Sequence, residues 1–323
     1  MLDQIELSAL NIGDKINHYF IVNKFDSKTT KTNKPFIDLE LRDASAALSA
    51  KVWDNVDFVK TKIKLGSIVK VTGRIGEYMG TPQIDIDKIL PAGESDDVMP
   101  EDFLPKSQRN LDEMLHELNN RVNKIENPHL KKLIQITLTG ENFVKYTKVP
   151  AGKSWHHSYI HGLLEHTLEI IKICDLMCEF HERINRDLLV CGALLHDFGK
   201  VEELSFQPTF EYTTKGKLVG HIVMAVIIVE KNISTIDGFP EDLKNQLIHL
   251  ILSHQGKLEF ASPVEPKTLE AIVLYHADEL SAKTNAYLNA IKEDENKNSE
   301  WTRYLPLVNT SLYIPPQSGE DKT

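Results

Sequence analysis

Residues 188–200 read LLVCGALLHDFGK, an apolar run that ends in a histidine and an aspartate. Four more potential ligand residues flank this run at helix-sized intervals: His166, His221, His254 and Asp278. Each lies in or beside an apolar segment with helical spacing, where an unpaired polar group costs about 1–3 kcal/mol. We therefore expect these residues and His196-Asp197 to share one partner inside a helical domain.

Asp278 shows most clearly why a metal ion is the expected partner. It follows Ala271 and Leu274 on the apolar stripe of its predicted helix, so its carboxylate points along that stripe. A lone carboxylate in such a place would take up a proton, whereas a divalent cation holds it ionised. The ordinary structural alternative is a salt bridge or a helix cap, and for any single histidine it is a hydrogen-bonded core residue.

The donor set indicates the kind of metal and the number of ions. Imidazoles and carboxylates without a thiolate suit Mn²⁺, Fe²⁺, Co²⁺, Ni²⁺ or Zn²⁺ and do not choose among them. The six predicted ligands exceed what one catalytic ion needs once water positions are left open, so we expect two ions with Asp197 as the bridging carboxylate. Two such ions stabilise the attacking and leaving oxygens of an in-line phosphoryl displacement. The pattern therefore predicts hydrolysis of a phosphate ester.

The ordered set of ligands resembles the HD superfamily of metal-dependent phosphohydrolases. The matching motifs are His166 within GLLEHT, His196-Asp197 within LLHDFGK and Asp278 within YHADEL, while His221 and His254 match the extra pair of two-metal members. The resemblance covers about residues 155–285 and implies an all-α helical bundle.

Three further residues near the motif are candidates for contact with substrate. Lys200 matches a lysine that lies beside the reacting phosphate in the HD superfamily. The resemblance implies a catalytic role for Lys200 in charge stabilisation or leaving-group assistance. The alternative is a solvated lysine that closes a helix after Gly199. His157 and His161 precede the first ligand and are candidates for binding the substrate, although loop histidines are commonly only exposed.

The amino-terminal part of the chain has the pattern of a small β-barrel. Alternation and β-branched or aromatic residues predict strands at 19–25, 36–42, 46–53, 67–75 and 83–89, with a helix at 56–65 between the third and fourth. Five short strands in about 80 residues fit a closed barrel. This segment resembles the OB-fold nucleic-acid-binding domains.

Such barrels bind single strands by stacking bases on aromatic side chains and by running the backbone past basic residues. The candidates for this contact are Phe36, Trp53, Tyr78 and Arg74. The alternative for each aromatic residue is the barrel core, because a small barrel fills itself with alternate side chains.

Length and composition fit a multi-domain protein of 323 residues with 41% apolar content. We expect an OB-fold domain at 1–92, a linker at 93–106 and a helical HD domain at 107–318, with the metal-binding core at about 155–285. The net charge is −10. Residues 1–95 carry 13 basic and 13 acidic side chains, so the excess of acidic residues lies after the barrel, in residues 96–323. This charge argues against a broad basic surface that coats DNA.

Three cysteines without CxxC spacing, no signal-peptide pattern and no long apolar run predict a cytoplasmic protein without a membrane partner.

The order of an OB fold, a helical linker and an HD domain resembles the bacterial YhaM-type 3′–5′ exoribonuclease family over about residues 10–310. The resemblance implies two divalent ions, with Mn²⁺ as the first choice. It also implies single-stranded RNA as substrate, with single-stranded DNA as a further one. The sequence does not decide whether the protein forms a homo-oligomer.

Two other functions fit the same residues. The chain could be a nucleotide or cyclic-nucleotide phosphodiesterase whose barrel binds a regulator. It could also be a non-catalytic single-strand-binding or replication-associated protein with a structural metal site, but the complete ligand set with Lys200 argues against a decayed site.

Overall fold

The computed structural model describes residues 4–153, 155–205, 209–294, 299–306 and 309–315. The chain divides into two compact units. One comprises Met1–Gln108 with Leu204–Tyr212, and the other Arg109–Glu203 with Thr213–Thr323. Within the described ranges no helix is long and apolar enough to cross a membrane.

The first unit contains a closed five-stranded barrel. Its strands are β1 (Lys15–Thr29), β2 (Pro35–Arg42), β3 (Ala47–Val52), β4 (Ile68–Tyr78) and β5 (Thr81–Pro91), and helix α1 (Val56–Lys62) lies between β3 and β4 in sequence. The strands pair in the order β1-β2-β3-β5-β4, antiparallel except for β3 with β5. The predicted OB-fold barrel is confirmed. β1, β4 and β5 are longer than the sequence pattern predicted, because the amino end of β1 extends to pair with β4 and the β1–β2 and β4–β5 hairpins lengthen the other ends.

Alternation along each strand builds the barrel core. In β2 the side chains of Ile37, Leu39 and Leu41 are buried, while the intervening positions face outward. The β4–β5 ladder shifts register between Thr72 and Gly73, which pair with Lys88 and Ile86, so Asp87 of β5 is the extra residue of a bulge. A Cβ atom at Gly73 would lie 2.1 Å from the carbonyl oxygen of Asp85, so only glycine permits this close approach of β4 and β5.

The segment after β5, which includes the predicted linker at 93–106, contains two single 3₁₀ turns, Glu94–Asp96 and Pro100–Asp102. An aspartate closes each turn by accepting from the backbone N–H that precedes it, as Asp102 does from Met99 at 2.9 Å. Phe103 and Leu104, which follow, are fully buried. Asp96 and Asp102 thus act as local caps.

The second unit is helical, as predicted. Its helices are α2 (Leu111–Asn123), α3 (Pro128–Thr137), α4 (Gly140–Tyr146), α5 (Gly162–Phe180), α6 (Arg186–Leu195), α7 (Lys200–Glu203), α8 (Thr214–Val219), α9 (His221–Ile233), α10 (Glu241–Ser253) and α11 (Leu269–Asp294). Between α7 and α8 in sequence lies a short strand pair, β6 (Leu204–Ser205) with β7 (Glu211–Tyr212), which belongs to the first unit.

Helix α6 lies at the centre of this unit because it is apolar on every side. All of its residues from Leu188 to Leu195 are buried, and α5, α10 and α11 pack around it. Asn185 caps its amino terminus by accepting from the N–H of Leu188 at 3.1 Å. The His196-Asp197 dipeptide follows at its carboxyl end, which places both side chains in the middle of the bundle.

Candidate metal centre

The structure brings all six predicted ligands together in the helical unit. They come from five places in the fold: His166 from α5, His196 and Asp197 from the end of α6, His221 from the first residue of α9, His254 from the end of α10 and Asp278 from α11. His166, His196, Asp197 and His254 are buried, and His221 and Asp278 are half-buried.

Asp197 lies at the centre of the cluster and presents each oxygen to a different pair of histidines. Its Oδ2 lies 3.4 Å from Nε2 of His196 and 4.0 Å from Nε2 of His166. Its Oδ1 lies 3.3 Å from Nε2 of His221 and 3.6 Å from Nε2 of His254. Asp278 joins the first pair, since its Oδ1 is 3.0 Å from Nε2 of His166. A carboxylate in this position has one oxygen available for each of two ions.

The Nδ1 atom of every histidine in the cluster is held by an acceptor. His196 faces the carbonyl of Ala193 at 2.8 Å, and His254 faces the carbonyl of Ile251 at 2.7 Å. The remaining two use side chains: His221 contacts Oε1 of Glu203 at 3.1 Å, and His166 contacts Oγ of Ser281 at 3.0 Å. Carbonyl and carboxylate oxygens only accept, so His196, His254 and His221 each carry a proton on Nδ1 and turn Nε2 towards Asp197.

Three atoms at the centre have no hydrogen-bond partner within the described part of the chain: Nε2 of His166, Nε2 of His196 and Oδ1 of Asp197. Acceptors that face one another in a buried place repel each other unless a cation lies between them. His166, His196 and Asp197 form one group of donors within 4.8 Å of one another, and Asp197, His221 and His254 form another. These residues therefore fit divalent cations.

The protonation state of each buried ligand depends on its surroundings: Asp197 outweighs burial and raises the pKa of His196, whereas burial dominates at the other two buried histidines. Burial lowers the pKa of His254 to about 4 and holds the pKa of His166 well below its ordinary value, so both imidazoles are neutral at neutral pH. Burial alone would raise the pKa of Asp197, but Lys200 and His196 outweigh it and hold that pKa well below its usual range. Asp197 is therefore ionised.

Lys200 lies inside the cluster rather than in solvent. Its Nζ donates to Oδ2 of Asp197 at 2.5 Å and to the carbonyl of Ala151. Burial would lower the pKa of Lys200, but the carboxylate of Asp197 outweighs burial and raises it. A permanent positive charge thus lies next to the central carboxylate.

Gly199 has a role that the sequence pattern did not reveal. A Cβ atom at this position would lie 2.0 Å from the carbonyl oxygen of His221 and 2.8 Å from the N atom of Ala225. The missing side chain lets the chain after Asp197 pack directly on the first turn of α9. Gly199 therefore sets how close His221 comes to Asp197.

The histidines before the first ligand are arranged in two ways. His157 is fully buried, with Nδ1 at 3.2 Å from Nδ1 of His156 and Nε2 at 3.2 Å from Oε2 of Glu169. His161 is half-buried, precedes α5 in a left-handed conformation and contacts the carbonyl of Thr147 through Nδ1. Of the two, His161 is the more accessible to a substrate.

Sequence reasoning missed Glu203, Ser281 and Glu169, which support the ligands from behind. Ser281 and Glu169 each follow a predicted ligand by three residues on the same helix, a spacing that puts them on one face. That spacing could have suggested them. Glu203 has no such signal, because it reaches His221 only through the packing of α7 on α9.

The four barrel residues predicted to contact a strand are at least partly accessible. Phe36 and Trp53 stack with ring centroids 4.8 Å apart, and Trp53 is 42% exposed. Tyr78 is exposed, and Nζ of Lys51 lies 4.8 Å from its ring centroid. Arg74 is also exposed and lies 3.5 Å from Asp85. Trp53 and Tyr78 are not part of the barrel core.

Comparison with known protein families supports the fold of both units. The HD domain family matches residues 163–283, and the OB-fold nucleic acid binding domain family matches residues 21–92. The fold and the site thus define an HD-domain protein with an amino-terminal OB fold. The 3′–5′ exoribonuclease YhaM of Bacillus velezensis is 32% identical over 305 residues, which cover 94% of this chain and 96% of the relative. The same enzyme of Bacillus licheniformis is 33% identical over 307 residues, with the same two coverages. The chain belongs to the YhaM family of 3′–5′ exoribonucleases.

Proposed function

We propose that this protein is a metal-dependent 3′–5′ exoribonuclease that hydrolyses single-stranded RNA at the cluster around Asp197. The observation that carries the proposal is the convergence of four imidazole Nε2 atoms on one ionised carboxylate inside the helical unit. The direction of degradation is supported by the names of the YhaM relatives, which match over nearly the full length of the chain.

The cluster provides two positions for divalent ions. His166, His196 and Asp278 would hold one ion, His221 and His254 the other, and Asp197 would contribute one oxygen to each. The chemistry that such ions supply is Lewis-acid stabilisation of charge on the phosphate oxygens. Mn²⁺ is our first choice, because the donors are nitrogen and oxygen atoms and the family resemblance favours it.

Asp197 and Lys200 carry the catalytic roles among the protein's own groups. Asp197 orients the site through both of its oxygens. Lys200 keeps a positive charge 2.5 Å from that carboxylate, where it can stabilise the negative charge that develops on the phosphate or on the leaving oxygen. His161 is the accessible histidine beside the first ligand, and we assign it a contact with the substrate.

The barrel provides the surface for the strand. The Phe36–Trp53 stack offers an aromatic face to a base, and Tyr78 with Lys51 offers a second ring beside a cation. Arg74 contributes a charge for the phosphate backbone. Stacking does not distinguish ribose from deoxyribose, so we expect single-stranded DNA to bind as well. The cytoplasmic location and the oligomeric state stay predictions.

Hydrolysis of a 5′-labelled single-stranded RNA with Mn²⁺ tests this proposal. The wild-type protein should shorten the labelled RNA stepwise from its 3′ end, whereas Asp197→Asn should leave the RNA intact. Both proteins should bind the RNA with equal affinity. Asp237→Asn, which changes an exposed aspartate after α9, is the matched control and should behave as wild type.

Two results would contradict the proposal. Indifference to the RNA together with turnover of mononucleotides or cyclic nucleotides would favour a small-nucleotide phosphodiesterase. Unchanged turnover in Asp197→Asn would refute the assignment of the site.

A further inference from the structure

We infer that Glu169 and Ser281 are positioning residues that fix the tautomer of His166 and thereby prepare one of the two metal positions selectively. The inference rests on the proposed function only in requiring that divalent ions bind around Asp197.

The two residues form a relay that ends on the ligand. The Oγ atom of Ser281 donates its single proton to Oε2 of Glu169 at 2.7 Å. The Oγ atom of Ser281 also lies 3.0 Å from Nδ1 of His166, and because its proton is already used it can only accept there. His166 therefore carries its proton on Nδ1, and its Nε2 lone pair is free towards Asp278 and Asp197.

Glu169 is held in the state that this relay requires. Its Oε2 also contacts Nε2 of the buried His157 at 3.2 Å. Burial would raise the pKa of Glu169, but His157 and Ser281 outweigh burial and lower it. The carboxylate stays an acceptor, which keeps the hydroxyl of Ser281 pointed away from His166.

The position of the relay explains its selectivity. Glu169 and His166 are three residues apart on α5, and Ser281 and Asp278 are three residues apart on α11, so the relay joins the two helices behind one metal position. The other position has separate supports. Glu203 accepts from both the backbone N–H and the ring of His221, at 2.9 and 3.1 Å, and His254 uses a backbone carbonyl.

A different use of this region is less consistent with the contacts. His156, His157 and His166 lie close enough to hold a third ion. However, Nδ1 of His166 is already bonded to Ser281, and its Nε2 points at Asp278 and Asp197. A third ion would therefore have to compete with the first for the same nitrogen.

Two substitutions at Glu169 distinguish the relay from simple packing. In Glu169→Gln the amide oxygen can still accept from Ser281 and His157, which keeps the hydroxyl turned away from His166. Glu169→Leu keeps the approximate size of the side chain but removes the acceptor, so the hydroxyl of Ser281 can donate to Nδ1 of His166 and the imidazole proton moves to Nε2. Glu169→Leu should therefore weaken metal binding more than Glu169→Gln, whereas a packing role predicts that both variants bind metal as wild type does.

Calorimetric titration of the full-length protein with Mn²⁺ is the test. Glu169→Leu should weaken one of two ions by about 10- to 100-fold and leave the second unchanged. Glu203→Leu, which removes the acceptor behind His221, should weaken the second ion and leave the first. Glu179→Leu, at an exposed glutamate on the same helix, is the matched control and should bind both ions as wild type.

The inference is overturned if Glu169→Leu binds both ions as tightly as wild type, if it weakens both equally, or if Glu169→Gln is the weaker binder. RNA hydrolysis by Glu169→Leu should recover at high Mn²⁺ concentration, and its absence there would also count against a positioning role. A wild-type protein that binds Mn²⁺ as expected but degrades no RNA would refute the proposed function and leave this inference standing.

Discussion

Replacing Gly199 with alanine should open the metal centre from behind without touching any ligand. The new Cβ atom would lie 2.0 Å from the carbonyl oxygen of His221, whereas ordinary contacts of this kind are longer than 3.0 Å. The two backbones must therefore separate by about 1 Å. Because His221 is the first residue of α9, its ring moves with the helix and away from Asp197, from which it now lies 3.3 Å.

The size of the effect follows from that displacement. A misplacement of about 1 Å in a catalytic arrangement can reduce turnover about 100-fold. Overpacking at a buried contact also destabilises a protein by about 1–3 kcal/mol. We expect Gly199→Ala to lower kcat on RNA by about 100-fold and to weaken the ion at His221 and His254, with a smaller effect on the ion at His166.

The assay combines kcat on a single-stranded RNA, Mn²⁺ titration and thermal unfolding. Gly152→Ala is the matched control, since its Cβ atom would meet its nearest neighbour, the carbonyl oxygen of His156, at an ordinary 3.4 Å. That variant should retain wild-type turnover. The reasoning is refuted if Gly199→Ala folds, binds both ions with unchanged affinity and turns over RNA as wild type does.

Three further outcomes are expected. Trp53→Ala should weaken binding of single-stranded RNA by about 5- to 150-fold, the loss of one stacked base, in a filter-binding assay, while hydrolysis of a small phosphodiester and the control Phe180→Ala stay unchanged. Lys200→Met should lower kcat by about 100- to 1,000-fold with little change in RNA affinity, measured in single turnovers, and a kcat within a few-fold of wild type would exclude Lys200 from catalysis. Removing metal with a chelator should lower Tm, and Mn²⁺ at about 100 times its Kd should restore about 2.7 kcal/mol of stability in wild type but not in Asp197→Asn.

The ligands could be predicted from the sequence because each one interrupts an apolar helical pattern. His196 and Asp197 end the most buried helix of the bundle, and Asp278 lies on an apolar stripe, so both carry a cost that only a partner removes. The barrel was predictable for a similar reason, since alternation along β2 separates core from surface within a single strand.

The supporting residues could not be predicted in the same way. Ser281 and Glu169 meet only because α5 packs against α11, and residues 112 positions apart carry no local signal of contact. Gly199 resembled a helix terminator, and its function depends on a carbonyl from α9. The sequence did not decide whether Trp53 lies in the barrel core or on the surface. Strand β3 ends at Val52, so Trp53 lies just beyond the alternating pattern that separates core from surface.

The most direct test of the account is the number of Mn²⁺ ions that the protein binds, measured by calorimetry together with elemental analysis of the purified complex. If Asp197 is shared as we propose, wild type binds two ions per chain, and Asp197→Asn loses tight binding of both. A wild-type protein that binds a single ion, or an Asp197→Asn variant that still binds two, would contradict it.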